Sequence, residues 1–157
     1  MDEAVAGADL TALYQQLILD HARKPRHFGL LEHATHEAKG INRLCGDRLT
    51  LYLDVRDDRI QDAAFEGSGC AISVASASLL TDAVRSMTTA DAVEFSRQLV
   101  DRLTTGVGKQ EDPAMDFGKL AALDGVREFP SRVKCATLAW HALQSAINRD
   151  EAPASTE

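Results

Sequence analysis

Apolar residues follow two different spacings along the chain. In residues 10–21 they recur every three or four positions, which is typical of one helix face, with Asp9 placed to cap the helix and Pro25 to end it. In residues 49–55 every second side chain is apolar instead, and this alternation predicts a strand. After a short turn, residues 59–67 can return beside that strand. The two spacings therefore predict a first helix followed later by a β-hairpin.

Helical spacing dominates the second half of the chain. It predicts helices at residues 70–84, 89–103, 120–126 and 130–148. The glycines within 106–108 are expected to end the second of these helices, and residues 109–118 to form a loop. Between Gly29 and Gly40 the periodicity fades, which leaves room for one short strand.

These elements together predict an α+β fold, in which a small antiparallel sheet of about three strands packs against four to six helices. A chain of 157 residues is long enough to bury roughly 70% of the surface that it exposes when unfolded. It contains no internal repeat and no segment with the composition of a domain linker. We therefore expect one domain at residues 1–150 and a flexible C-terminal tail at residues 151–157.

The charge of the chain limits the partners that it can have. A formal net charge of −7 argues against nucleic acid, because phosphate binding requires clustered Lys and Arg. No apolar run approaches the roughly 20 residues needed to cross a bilayer, and the acidic start lacks the features of a signal peptide. The sequence therefore predicts a cytoplasmic protein that binds neither nucleic acid nor membranes.

The three cysteines occupy different local settings. Cys45 precedes the first predicted strand of the hairpin, beside Gly46 and Asp47, in a sequence equally typical of a simple turn. Cys70 lies at a predicted helix start, where the helix dipole favours a thiolate, and Cys135 lies in the first turn of the last predicted helix. Burial in the core is the alternative for both. Because cytoplasmic thiols stay reduced and three is an odd number, we do not expect a disulfide framework.

Three thiolates and one carboxylate form a reasonable ligand set for tetrahedral zinc. Cys45, Asp47, Cys70 and Cys135 supply these groups, although no Cys-x-x-Cys spacing marks the set. Closing the long loop between Cys70 and Cys135 costs about 3–4 kcal/mol, whereas a structural zinc site returns about 10–16 kcal/mol. Because an oxygen ligand suits zinc less well than a thiolate, such a site can open and release one thiolate for sulfur chemistry.

Four ordered segments between residues 13 and 143 resemble the blocks of the IscU-like (NifU N-terminal-like) proteins of iron–sulfur cluster assembly. They are LYQQLILDHARKPRHFG, NRLCGD, FEGSGCAISVASASLLTDAV and FPSRVKCATLAWHAL. Lys134 precedes the last cysteine, where the scaffold branch of this family has a histidine. This lysine and the long segment before it resemble the SufU-type branch. Arg43 stands where the family usually has a proline, so we expect a less rigid loop before Cys45.

The resemblance implies a zinc-dependent sulfurtransferase with a zinc site of Cys45, Asp47, Cys70 and Cys135. It implies that Cys45 accepts persulfide sulfur from a SufS-type cysteine desulfurase, a pyridoxal-phosphate enzyme, and passes the sulfur on to downstream cluster-assembly proteins. Asp47, Cys70 and Cys135 would hold the metal while Cys45 reacts.

Two alternatives to this interpretation remain open from the sequence. In the first, the protein is a scaffold that binds iron or a nascent iron–sulfur cluster through Cys45, Cys70 and Cys135. In the second, zinc only stabilises the fold. Arg132 and Lys134 are close enough in sequence to Cys135 to stabilise negative charge on sulfur, and ordinary solvated helix positions are the alternative for both.

Overall fold

The computed structural model describes residues 3–105, 117–149 and 154–155. Its helices are α1 (Glu3–Arg23), α2 (Ala71–Val84), α3 (Thr89–Thr104), a 3₁₀ segment (Gly118–Glu128) and α4 (Pro130–Asn148). Its strands are β1 (His36–Asn42), β2 (Asp47–Arg56), β3 (Arg59–Ser68) and β4 (Ala154–Ser155). The predicted α+β architecture is confirmed. None of the helices in the described ranges is long and apolar enough to span a bilayer.

The sheet has the strand order β3-β2-β1-β4. The hairpin of β2 and β3 is antiparallel, as the alternating pattern predicts, and β1 pairs antiparallel with the other edge of β2. The fourth strand was not predicted, because two residues are too few to leave an alternating pattern. It pairs parallel with β1 at Gly40 and Ile41. The other residues of the predicted tail lie outside the described ranges.

Helix α1 is longer than the sequence predicted. The first helix begins at Glu3 rather than at residue 10, so Asp9 lies inside the helix and does not cap it. The reason is that an alanine-rich segment precedes Asp9, and alanine favours the helix without an apolar stripe. The glycines expected to end α3 and most of the predicted loop 109–118 lie outside the described residues.

The core lies between the sheet and helices α2 and α4. Helix α4 packs against β1 and β2, and α2 packs against β3 and α4. Trp140 of α4 is fully buried, and its indole N–H donates to the Ser76 hydroxyl of α2 over 3.0 Å. Ser76 in turn donates to the backbone oxygen of Ala136 over 2.6 Å. This buried chain of hydrogen bonds fixes α2 relative to α4, the helices at whose N-terminal ends Cys70 and Cys135 lie.

Candidate metal centre

Cys45 lies at the tip of the turn that joins β1 to β2. Asn42 and Asp47 are paired across the ends of the two strands, so residues 43–46 form a four-residue loop. Gly46 has a φ of +74°, a left-handed conformation that glycine adopts without steric cost and that reverses the chain direction before β2. The Cys45 side chain is exposed. Only two residues further on, the Asp47 side chain is fully buried.

Cys70 caps the N-terminus of α2, where the sequence predicted a helix to begin. Its Sγ accepts a hydrogen bond from the backbone N–H of Ser73 over 3.4 Å. Its own backbone N–H donates to Asp47 Oδ1 over 2.9 Å, which links the start of the helix to the buried carboxylate. A Cβ atom on the preceding residue, Gly69, would lie 2.5 Å from the same oxygen. A glycine at this position therefore lets the helix start approach Asp47.

Cys135 lies near the start of α4, in its second turn, with 2% of its surface exposed. Burial raises the pKa of its thiol above the ordinary value, and hydrogen bonding with Asp47, Cys45 and Cys70 raises this pKa further. Helix α4 thus brings Cys135 close to Cys45 and Asp47 at the turn between β1 and β2.

The structure brings the predicted ligands together from distant parts of the chain. Within the described residues, potential ligand atoms of Cys45, Asp47 and Cys135 all lie within 4.8 Å of one another. Cys70 is outside this close group of three, but its backbone N–H donates to Asp47 Oδ1. The sequence interpretation of Cys45 as a simple turn residue, and of Cys135 as a simple core residue, leaves this convergence unexplained.

Comparison with known proteins agrees with this arrangement. A family model described as the NifU-like N terminal domain matches residues 13–136. The chain belongs to the NifU-like N-terminal domain family. It is 40% identical over 144 residues to the zinc-dependent sulfurtransferase SufU of Bacillus subtilis (strain 168), a match that covers 92% of this chain and 95% of that protein.

Two further relatives extend the comparison. The chain is 41% identical over 147 residues to the iron–sulfur cluster assembly scaffold protein IscU of Streptococcus pyogenes serotype M1, covering 92% of this chain and 89% of that protein. A crystal structure of a cluster assembly scaffold protein for the SUF system from Fervidobacterium islandicum AW-1 matches with a TM-score of 0.75 and 32% identity. It covers 84% of this chain and 94% of that one. The predicted family and the IscU-like fold are confirmed.

The donor set of this NifU-like chain fits zinc in chemistry and in scale. Thiolates and a carboxylate are ordinary zinc ligands, with metal–ligand distances that place the donors of a tetrahedral site about 3.4–3.8 Å from one another. The donors of Cys45, Asp47 and Cys135 already lie within 4.8 Å, so a contraction of at most about 1.0–1.4 Å would bring these three to such separations. The exposed position of Cys45 on a turn allows a movement of that size without disturbing the core.

Asn42 is a residue of the NifU-like centre to which the sequence assigned no role. It is fully buried, and its Nδ2 lies 3.4 Å from Asp47 Oδ2 and 3.7 Å from Cys135 Sγ. A lone asparagine before a turn is an ordinary turn residue, so composition gave no reason to select it. The available signal was pairing: once residues 43–46 are recognised as a four-residue hairpin loop, Asn42 and Asp47 must face each other.

The two predicted charge-stabilising residues lie on α4 near Cys135. The guanidinium of Arg132 lies over the ring of Phe129, 4.8 Å from its centroid, and its side chain is exposed. Lys134 is half-buried beside Cys135 in the chain. Their role toward a sulfur atom stays a prediction.

Proposed function

We propose that this NifU-like protein is a zinc-dependent sulfurtransferase of iron–sulfur cluster assembly. The observation that carries the proposal is an exposed thiol, Cys45, within 4.8 Å of a donor atom of each of two buried residues, Asp47 and Cys135. In such a site a partner protein can reach the nucleophile, whereas solvent cannot reach the two buried donors. The relative from Bacillus subtilis, similar over 92% of this chain, carries the same activity in its name.

Cys45, Asp47, Cys70 and Cys135 are the residues that would hold the zinc. When bound, zinc stabilises the thiolate forms of its cysteine ligands at neutral pH, which is the reactive form in sulfur chemistry. The fold supplies the arrangement: β2 carries the carboxylate, the start of α2 carries Cys70, and α4 carries the buried Cys135. The turn before β2 presents Cys45 to the outside.

Cys45 is the proposed acceptor of sulfur. Its thiolate attacks the outer sulfur of a persulfide on the partner's cysteine, so a new S–S bond forms on Cys45 while the S–S bond of the partner breaks. The partner's cysteine leaves as a thiolate, and no net oxidation or reduction occurs. Arg132 and Lys134 are proposed to offset the negative charge that moves between the sulfur atoms.

The proposed partner is a SufS-type, pyridoxal-phosphate-dependent cysteine desulfurase, which makes the persulfide that Cys45 accepts. Leu44, directly before the acceptor, exposes 67% of its surface and offers an apolar contact for that enzyme. We place the reaction in the cytoplasm, where reduced thiols persist. Downstream cluster-assembly proteins would receive the sulfur from Cys45.

Native mass spectrometry before and after incubation with the desulfurase and cysteine tests the proposal. We expect one zinc ion on the isolated protein and, after incubation, the mass of one added sulfur atom on the peptide that contains Cys45. The variant Cys45→Ser should accept no sulfur. If Cys45→Ser still relieves the desulfurase of its persulfide at the normal rate, Cys45 is not the acceptor and the proposed mechanism is wrong.

A scaffold function is the second candidate, because the relative from Streptococcus pyogenes is named as a scaffold at 41% identity. The same thiolates would then bind iron or a nascent cluster. Lys134 argues against it, since a protonated ammonium group cannot ligate a metal. Anaerobic reconstitution distinguishes the two functions: a stable, stoichiometric chromophore that transfers intact to an acceptor protein would favour the scaffold.

A further inference from the structure

Asn42 spans the two buried donors of the metal centre. It ends β1, opposite Asp47 in the register of the sheet, and none of its surface is exposed. Its single side-chain nitrogen faces both Asp47 Oδ2, at 3.4 Å, and Cys135 Sγ, at 3.7 Å. An amide nitrogen carries two hydrogens, so it can donate one to each neighbour at the same time. One residue thereby connects the strand pair β1–β2 to helix α4.

The chemistry of the neighbours fixes the orientation of this amide. With the amide reversed, its oxygen would face the carboxylate of Asp47, and two acceptors would be in contact without a proton between them. In the zinc-bound protein of the proposed function Cys135 would be a thiolate, and its sulfur would then accept hydrogen bonds and donate none. Two independent acceptors therefore require the nitrogen to point into the centre.

This orientation leaves the other end of the amide unpaired. Among the residues that the structure describes, Asn42 Oδ1 is buried and has no hydrogen-bond partner. Burying an unpaired oxygen opposes folding, so the oxygen of Asn42 does not account for an amide at this position. The two N–H groups that face the donors explain why an amide occupies this position.

We propose that Asn42 is the positioning residue of the metal centre. Its amide holds Asp47 and Cys135 in place and leaves Cys45 as the movable donor. This inference rests on the proposed function. The two oxygens of Asp47 are then both held, Oδ1 by the backbone of Cys70 and Oδ2 by Asn42. The two hydrogen bonds of Asn42 go to the interior donors, and neither goes to Cys45. The site therefore keeps its shape on the buried side when the exposed thiol moves.

Two substitutions of Asn42 test this role. Asn42→Leu keeps the branching of the side chain but removes both N–H donors and the unpaired oxygen, whereas Asn42→Ala removes them together with the volume. Zinc affinity is measured by chelator competition, and the ligand field by the visible absorption of the cobalt(II)-substituted protein. We expect both variants to bind zinc about 10–100-fold more weakly, as is typical when a residue that orients a metal ligand is lost, and to shift the cobalt bands.

A matched control separates positioning from packing. Gln98 on α3 also has a buried amide oxygen without a partner in the described part of the chain, but its nitrogen donates to Glu94, away from the centre. Gln98→Leu should leave zinc affinity and the cobalt spectrum unchanged. Metal-free Asn42→Leu should unfold at a lower temperature than the metal-free wild type, because the buried Asp47 Oδ2 and Cys135 Sγ lose their donor. Zinc affinity is therefore measured well below the melting temperature of the variant.

The outcomes distinguish this inference from the proposed function. If the wild type binds zinc and folded Asn42→Leu and Asn42→Ala bind it equally well, with unchanged cobalt spectra, Asn42 has no positioning role and the proposed function stands. An equal loss in Gln98→Leu would also overturn the inference, because the effect would then be general. If the wild type itself binds no zinc, the proposed function fails first.

Discussion

Replacing Gly69 by alanine is expected to disturb the metal centre from the backbone side. The new Cβ would lie 2.5 Å from Asp47 Oδ1 and 3.2 Å from Asp47 Cα, so the oxygen must move by about 0.9 Å to reach an ordinary contact. Asp47 has no free space to move into, because it is fully buried and its Oδ1 accepts a hydrogen bond from Cys70. Overpacking of this kind costs about 1–3 kcal/mol of the free energy of unfolding.

The measurement combines denaturation of the metal-free protein with zinc titration. We expect Gly69→Ala to lower the melting temperature by about 2–4 °C for each kcal/mol lost. A displaced Asp47 carboxylate should also weaken zinc binding by about tenfold or more. The hydrogen bond from Cys70 is charge-assisted, so its loss would add about 1.5–3 kcal/mol to the cost.

Gly125 provides the matched control for this substitution. It lies in the 3₁₀ segment, and a Cβ at this position would meet no atom within 4 Å. Gly125→Ala should therefore leave zinc affinity unchanged and raise the free energy of unfolding by about 0.4–1 kcal/mol, because alanine restricts the unfolded chain. If Gly69→Ala matches Gly125→Ala in stability and in zinc affinity, the close approach of the helix start to Asp47 has no energetic consequence and the reasoning is refuted.

Two further predictions concern the core and the sheet. Ser76→Ala should lower the free energy of unfolding, measured in urea, by about 1–3 kcal/mol. The substitution removes the hydroxyl that accepts from the Trp140 indole and donates to the backbone oxygen of Ala136. An unchanged free energy of unfolding would contradict this prediction. Hydrogen bonding with Glu66 raises the pKa of Tyr52 from its ordinary value of 10.0 to about 12, so the stabilisation it gives is complete below pH 10 and is lost as the pH rises toward 12. Tyr52→Phe should flatten this alkaline loss of stability, and an equally steep loss in the variant would contradict the assignment.

The sequence predicted the hairpin well because two independent signals agreed there. Along β2, apolar residues on one face of the strand alternate with mostly polar residues on the other face. The turn after this strand contains Asp57 and Asp58. Both aspartates adopt positive φ angles, 53° and 61°, which is the conformation of a two-residue hairpin turn. Two elements had no comparable signal. The short strand β4 depends on its contact with β1, and the early start of α1 depends on the helix propensity of alanine, and periodicity detects neither.

The sequence selected candidate metal ligands but could not give their geometry. Residue types and the family resemblance selected Cys45, Asp47, Cys70 and Cys135, whereas the pairing of β1 with β2 decides how near they lie. The bounds of α4, Pro130–Asn148, are those that the sequence predicted, so the spacing pattern located Cys135 near the start of this helix. Asn42 could not be selected, since its function follows from the register alone.

The same register that buries Asp47 exposes Cys45, and this asymmetry is what sulfur transfer requires. Main-chain pairing of β1 and β2 ends at Asn42 and Asp47, so the carboxylate is the last side chain held by the sheet and the thiol is on the loop beyond it. A movement of this loop leaves the ladder of hydrogen bonds between β1 and β2 intact, because residues 43–46 lie beyond its last pair. A site with all its thiols on α2 and α4 would have to unpack the core to release one of them. Under the proposed function, a carboxylate on the strand and the proposed acceptor thiol on the turn allow Cys45 to move while Asp47 stays in place.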